Sequence, residues 1–150
     1  MSDNTFSFDR ADDSSGFLLW QVTTLWQRGI KKALTKHKIT HAQFVLLASL
    51  LWLSKQEQDV MQIDLSSHSK IDPMTTSTVL RTLQTKGFVA RQEHATDTRA
   101  KVVALTTKGI AITKQAIKTV EQFDKDFFSI LAGRQQEFNK LLVRIAASAG

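Results

Sequence analysis

One helix boundary in the middle of the chain constrains the fold more than any other feature, and it lies at Asp72-Pro73. Asp is a favoured N-cap residue, and Pro suits the first helical position because its missing N–H would have no partner there. A helix is therefore predicted over residues 73–86. Gly87 can end this helix in the left-handed conformation that glycine adopts without strain.

Three further helices are predicted before this boundary. Apolar residues recur at the helical period over residues 17–34, and a second helix, apolar on nearly every side, starts at a capping box that opens with Thr40. A short helix over residues 62–70 is expected to point Ile63 and Leu65 inward. The chain is thus predicted to be helical up to the central helix.

A β-hairpin and two more helices are predicted after the central helix. Residues 88–93 and 101–105 are rich in Val and Phe, and the polar stretch 94–99 connects them. A threonine pair at residues 106–107 can cap a long helix, which precedes a break at Gly133. The predicted packing seam of the long helix consists of Ile110, Ile117, Val120, Phe127 and Leu131. The apolar face of the last helix consists of Phe138, Leu141, Leu142 and Ile145.

This order of elements predicts a mainly α fold with a small β-hairpin wing, a winged helix-turn-helix flanked by N- and C-terminal dimerisation helices. The expected parts of this single domain are a flexible tail (1–15), an N-terminal dimerisation helix (16–38), the winged module (39–109) and C-terminal dimerisation helices (110–150). The flanking helices carry more apolar surface than so small a module can cover. A homodimer is therefore predicted.

Composition excludes several kinds of chemistry and favours an anionic partner. The chain has no Cys, which rules out disulfides, thiolate metal sites and cysteine-based catalysis or redox sensing. No glycine-rich phosphate loop or nucleophile elbow is present, so we expect neither an enzyme nor a bound cofactor. The longest apolar run is too short to cross a bilayer, and a cytoplasmic protein is expected. A net charge of +6 suits nucleic acid as the partner.

The start of the central helix is the predicted base-reading segment. In a helix-turn-helix, the N-terminal part of the second helix enters the major groove, where hydroxyls can meet phosphates or base edges and Arg can bind guanine. Thr75, Thr76, Ser77 and Arg81 are the candidate DNA contacts. The alternative is that these hydroxyls only cap a helix that is exposed to water.

The hairpin is a second predicted contact region, with Arg91, Asp97, Arg99 and Lys101 as its candidate residues. The guanidinium of Arg99 can enter a narrow minor groove, and Asp97 could hold it extended beforehand. The alternative is an exposed ion pair of little energetic value. Further phosphate contacts are expected from lysines around the module, namely Lys36, Lys70, Lys86 and Lys101.

The hairpin sequence RQEHATDTRAKVVALTTKG, residues 91–109, resembles the wing of the MarR family of bacterial regulators. The matching residues are Arg91, Asp97, Arg99, Leu105, Thr106 and Gly109. Upstream, ITHAQFVLLASL and DPMTTSTVLRTLQTKGFV resemble the family's second helix and recognition helix, although Thr78 stands where the family often has a basic residue. The resemblance implies a dimer whose recognition helices occupy successive major grooves and whose wings reach the minor grooves through Arg99.

An effector site and two rival functions complete the predictions. Trp20, Trp26 and Trp52 could line a cavity for an aromatic ligand, although core packing is the commoner role of such rings. The resemblance implies a small aromatic or anionic effector.

His37 and His41 lie four apart, but the helix start between them argues against a metal-responsive sensor. A winged-helix module that binds protein without specific DNA binding is the other alternative.

Overall fold

The computed structural model describes residues 5–56, 58–93, 95–97 and 100–150. Its helices are α1 (Ser15–Leu34), α2 (His41–Leu53), α3 (Gln62–Ser69), α4 (Pro73–Thr85), α5 (Thr107–Phe127) and α6 (Gln135–Ala149). Its strands are β1 (Val60–Met61), β2 (Val89–Glu93) and β3 (Lys101–Leu105). The predicted fold, a mainly helical chain with a small β wing, is confirmed.

Capping side chains set the starts of the main helices. Thr40 and Gln43 form the predicted capping box, in which the Thr40 hydroxyl accepts from the Gln43 N–H at 3.1 Å. The side chain of Asp72 accepts from the Thr75 N–H at 2.8 Å, and Thr106 caps α5 in the same way. The boundaries that depend on these caps agree with the sequence prediction.

Helix α2 is the centre of the core. Leu46, Leu47 and Leu50 are buried in it, and Leu65 of α3 and Leu80 of α4 pack into the same cluster. At 13 residues α2 falls short of the roughly 20 that a bilayer requires. No other helix in the described part of the chain is long and apolar enough to cross a membrane either.

One predicted inward residue of α3 points outward. Leu65 is buried, but Ile63 is 60% exposed. Residues two apart on a helix differ in direction by about 200°, so the two side chains cannot share one face. The prediction for Ile63 was therefore wrong.

The wing contains a short strand that the sequence pattern did not reveal. β2 and β3 pair antiparallel as predicted, and β1 adds to the other edge of β3 to give the order β1-β3-β2. Val60 of β1 pairs with Val103 of β3. Two residues are too few to show the alternation by which strands are recognised, so β1 could not be predicted.

Helix α5 packs through a face of small residues rather than through the predicted seam. Its buried residues are Gly109, Thr113, Ala116 and Val120, of which only Val120 belonged to the prediction. Ile110 is exposed, and Ile117 is only partly buried. The larger side chains of the seam are thus not the residues that hold α5 to its own chain.

Gly109 lets α5 start against the backbone of the wing. A Cβ at this position would clash with the carbonyl oxygen of Phe88, which is backbone and cannot rotate away. Thr106 holds the same junction, because its N–H donates to the Phe88 carbonyl at 3.0 Å and its hydroxyl donates to the Gly87 carbonyl at 2.6 Å.

We therefore expect Gly109→Ala to lower the free energy of unfolding by about 3 kcal/mol, at the upper end of the range for overpacked sites. Urea denaturation followed by circular dichroism measures the change. Gly16→Ala is the matched control, since nothing lies within 4 Å of a Cβ there and alanine favours the helix. Equal stability of both variants would contradict the close approach at Gly109.

Candidate nucleic-acid interface

The packing of α4 decides which of its side chains face outward. Thr76, Leu80 and Leu83 are fully buried. Successive residues on a helix point about 100° apart. The direction opposite these three buried residues therefore falls, within about 50°, on every third or fourth position from the start of the helix. These positions, here called the recognition face, are Met74, Thr78, Arg81 and Thr85, and all four are exposed.

The structure places the predicted α4 contacts on different sides of the helix. Arg81 lies on the recognition face. Thr75 is exposed at the margin of that face, and Ser77 is partly buried. Thr76 is 0% exposed, and its hydroxyl donates to the carbonyl of Ile71 at 3.3 Å. Thr76 therefore stabilises the turn before α4 and cannot reach a base, so its prediction as a DNA contact is corrected.

Sequence reasoning did not choose Met74 or Thr78 as DNA contacts, although it placed Thr78 among the hydroxyls at the exposed start of the helix. It chose the cluster of hydroxyl residues by composition, and consecutive residues on a helix point in different directions. The signal that could have found them was present. Counting in helical steps from the apolar anchors Leu80 and Leu83 gives the opposite face directly.

Threonine hydroxyls on α4 donate their protons to the protein itself. Thr75 donates to the Asp72 carboxylate at 2.7 Å, Thr78 to the Met74 carbonyl at 3.1 Å and Thr85 to the Arg81 carbonyl at 3.1 Å. A hydroxyl has one proton to donate, so while these bonds are kept the groups offer a ligand acceptor lone pairs and methyl groups. Among the described residues, no side chain pairs with the Arg81 guanidinium.

The N-terminus of α4 already carries a negative charge. The backbone N–H and the hydroxyl of Thr75 donate to Asp72, and these hydrogen bonds lower the pKa of its carboxyl group. An ionised carboxylate at a helix N-terminus occupies the place where a phosphate would otherwise bind. The side of α4, rather than its tip, is thus the part that is open to an anionic partner.

The predicted wing residues have separate environments. The Arg91 guanidinium donates to Gln84 Oε1 at 3.0 Å and to Gln62 Oε1 at 3.2 Å, so it joins β2 to α4 and α3. Lys101 is exposed, and Asp97 accepts at its carbonyl from the Ala100 N–H at 3.0 Å. Arg99, the predicted minor-groove residue, lies outside the described residues.

Lys86, one of the lysines predicted to contact phosphate, is engaged within the protein. Its ammonium donates to the Lys38 carbonyl at 2.9 Å and to Gln43 Oε1 at 3.1 Å. These bonds connect the end of α4 to the start of α2. Lys86 therefore positions α4, whereas Lys36 and Lys70 are exposed.

An open cleft of about 890 Å³ lies between the ends of α1, α2 and α3. Trp26 borders the cleft, and its Nε1 donates to Asp124 Oδ1 at 2.8 Å. The ring of His41 packs edge-on against the indole, with 5.0 Å between the ring centroids. Burial lowers the pKa of His41, although the charge of Asp124 opposes this shift. Lys31 and Lys38 also line the cleft, which gives it an apolar wall with basic groups at its edge.

The three tryptophans do not share this cleft. Trp20 is 70% exposed and Trp52 is also exposed, with the Lys55 ammonium 4.2 Å from its ring centre. Trp26 lies six positions after Trp20, which turns their side chains about 120° apart on α1. Of the predicted set, Trp26 is the one that lines this cleft.

The two histidines with helical spacing have different partners. His37 Nε2 lies 2.7 Å from the Thr119 hydroxyl, whereas His41 faces Trp26. Within the described ranges, no three His, Cys, Asp or Glu side chains gather as metal ligands.

Comparison with known proteins gives the same picture of the fold. Residues 35–123 match the family of ArnR1-like winged-helix domains. The HTH-type transcriptional regulator YdcH of Bacillus subtilis is 40% identical over 81% of this chain and 83% of its own. The HTH-type transcriptional repressor Rv2887 of Mycobacterium tuberculosis is 30% identical over 91% of this chain and 97% of its own.

Solved structures extend the likeness to nearly the whole chain. A mutant of MarR from Escherichia coli has a TM-score of 0.76 at 25% identity, covering 87% of this chain and 91% of that one. BpsR of Bordetella bronchiseptica has a TM-score of 0.81 at 22% identity, covering 96% and 100%. With a matched winged-helix domain, regulators as relatives and the same arrangement of helices and wing, the chain belongs to the MarR family of DNA-binding transcription regulators.

Proposed function

We propose that the protein is a sequence-specific repressor that binds a pseudo-palindromic operator as a homodimer. The observation that carries the proposal is the recognition face of α4, whose four residues are all exposed and which presents the guanidinium of Arg81. Arg is the side chain that most often reads guanine in the major groove. Escherichia coli MarR, which resembles this chain, has been crystallised with operator DNA.

Homodimerisation is supported by two apolar surfaces that their own chain leaves uncovered. No residue of α6 is buried, although all fifteen of its residues are described. A helix of that length is marginal in water unless its apolar side is packed. The exposed apolar residues of α6 are Leu141, Leu142, Val143 and Ile145, and those of α1 include Phe17, Trp20, Val22 and Leu25. A second copy that covers both surfaces would supply the missing packing and would set two α4 helices in two-fold symmetry.

Response to a small aromatic acid is supported by the cleft beside Trp26. Its apolar wall suits a ring, and Lys31 and Lys38 suit a carboxylate. DNA binding by BpsR is regulated by 6-hydroxynicotinic acid, a compound of this kind. The repressor role is supported by the relative Rv2887, which is named a transcriptional repressor.

The experiment that tests the regulator function is a salt titration of binding to the DNA upstream of the protein's own gene, beside a scrambled duplex. We expect tight binding to the first alone, weakening on the order of a thousandfold between about 50 and 200 mM salt as counterions are retained.

Arg99→Ala should weaken specific binding by about tenfold or more, because an arginine in a groove contributes that much.

Lys114→Ala is the control for loss of charge, since Lys114 is exposed on the side of α5 opposite its buried face. It should leave both the affinity and the salt dependence unchanged. Equal and weak binding to the two duplexes would contradict sequence-specific recognition. Binding that ignores salt would favour a protein-interaction module instead.

The effector cleft is tested by tryptophan fluorescence in the presence of aromatic carboxylic acids, 6-hydroxynicotinic acid among them. A ligand in the cleft should quench Trp26, since that indole borders the site and the other two do not. Trp26→Phe should therefore abolish most of the quenching, while Trp20→Phe and Trp52→Phe retain it. Quenching that survives in Trp26→Phe would place the ligand elsewhere.

A further inference from the structure

We propose that Met74 reads thymine, by packing its side chain against the C5-methyl group of a thymine in each half-site. This inference rests on the proposed function and goes beyond it by naming a base and the group of that base that is recognised. Met74 was not among the contacts predicted from the sequence. Its position and the chemistry of its neighbours on α4 support this role.

Met74 is 84% exposed, and among the large apolar side chains in the described part of the molecule only Ile130, at 88%, is more exposed. It lies at the second position of α4, on the recognition face and in line with Thr78 and Arg81. Its side chain therefore points away from the core, on the face that also carries the guanidinium. A surface that binds DNA would bury Met74 when Arg81 reaches a base.

The other groups on this face limit what it can recognise. Thr78 and Thr85 have used their hydroxyl protons on the helix backbone, so Arg81 is the donor that remains on the recognition face. Met74 has neither a donor nor a strong acceptor. The thymine methyl is the apolar group that a base pair exposes in the major groove, and it is the feature that matches Met74.

The proposed contact between Met74 and the thymine methyl group can be tested by changing the DNA base alone. Uracil keeps the O4 acceptor and the base pairing of thymine and lacks only the methyl group. Replacing one thymine by uracil therefore removes the proposed contact without altering the protein or its fold. The duplex to be used is the one that the wild-type protein enriches from a random-sequence pool.

We expect uracil at one thymine in a single half-site to weaken binding roughly fourfold, the change expected when the burial of one methyl group is lost. Substitution in both half-sites should multiply the two effects, to roughly sixteenfold. In Met74→Ala the uracil and thymine duplexes should bind equally. Met74→Leu, which restores an apolar side chain of similar volume, should recover the preference for thymine.

Ile63→Ala is the matched control, because Ile63 is also apolar and exposed but lies on α3. It should keep the full preference for thymine. The proposal for Met74 is overturned if no thymine in the enriched duplex responds to uracil, if the enriched half-site holds no fixed thymine, or if Met74→Ala retains the response. In these cases specific DNA binding still stands. A pool from which no sequence is enriched would overturn the proposed function together with this inference.

Discussion

The burial of one side of α4 is the constraint on which the candidate interface depends. Leu80 and Leu83 are completely enclosed, and Thr76 adds a hydrogen bond to the turn before the helix. Together they determine the rotation of α4 about its axis. A rotation by one residue, about 100°, would replace the whole exposed face with different side chains. Packing in the core, rather than any contact at the surface, thus selects the groups that α4 exposes.

Short polar links hold the wing and α5 to this helix. Thr106 bonds to both Gly87 and Phe88, where α4 passes into β2, and Gly109 allows the two backbones to approach. Arg91 joins β2 to Gln84 of α4. The MarR-like residues Arg91, Thr106 and Gly109 therefore share a structural role, which is to set the angle between wing and recognition helix. At the same end of α4, Lys86 bonds to the carbonyl of Lys38, a residue that also lines the cleft. A ligand that shifts this carbonyl would therefore act on α4 directly.

Local signals in the sequence were sufficient for the boundaries of the fold and insufficient for its surfaces. Caps such as Asp72 and Thr40 act within one turn, so they can be identified without the tertiary structure. The faces of Ile63 and Thr76 depend on how neighbouring helices pack, and the two-residue strand β1 exists only because β3 offers an edge. The candidate site could be predicted from the sequence only in part. Arg81 was found from its residue type and position, whereas Met74 required a count in helical steps from Leu80 and Leu83, and the predicted role of Arg99 stays a prediction.

In the proposed complex, two copies of the chain place two α4 helices in successive major grooves on one side of the duplex. Hydroxyl-radical footprinting on the bound DNA tests this arrangement, because it records where the protein shields the backbone. Two protected regions whose centres lie about 10 to 10.5 base pairs apart are predicted, as two-fold helix-turn-helix dimers require. A single protected region would contradict the dimer, and two regions at variable spacing would contradict a fixed distance between the recognition helices.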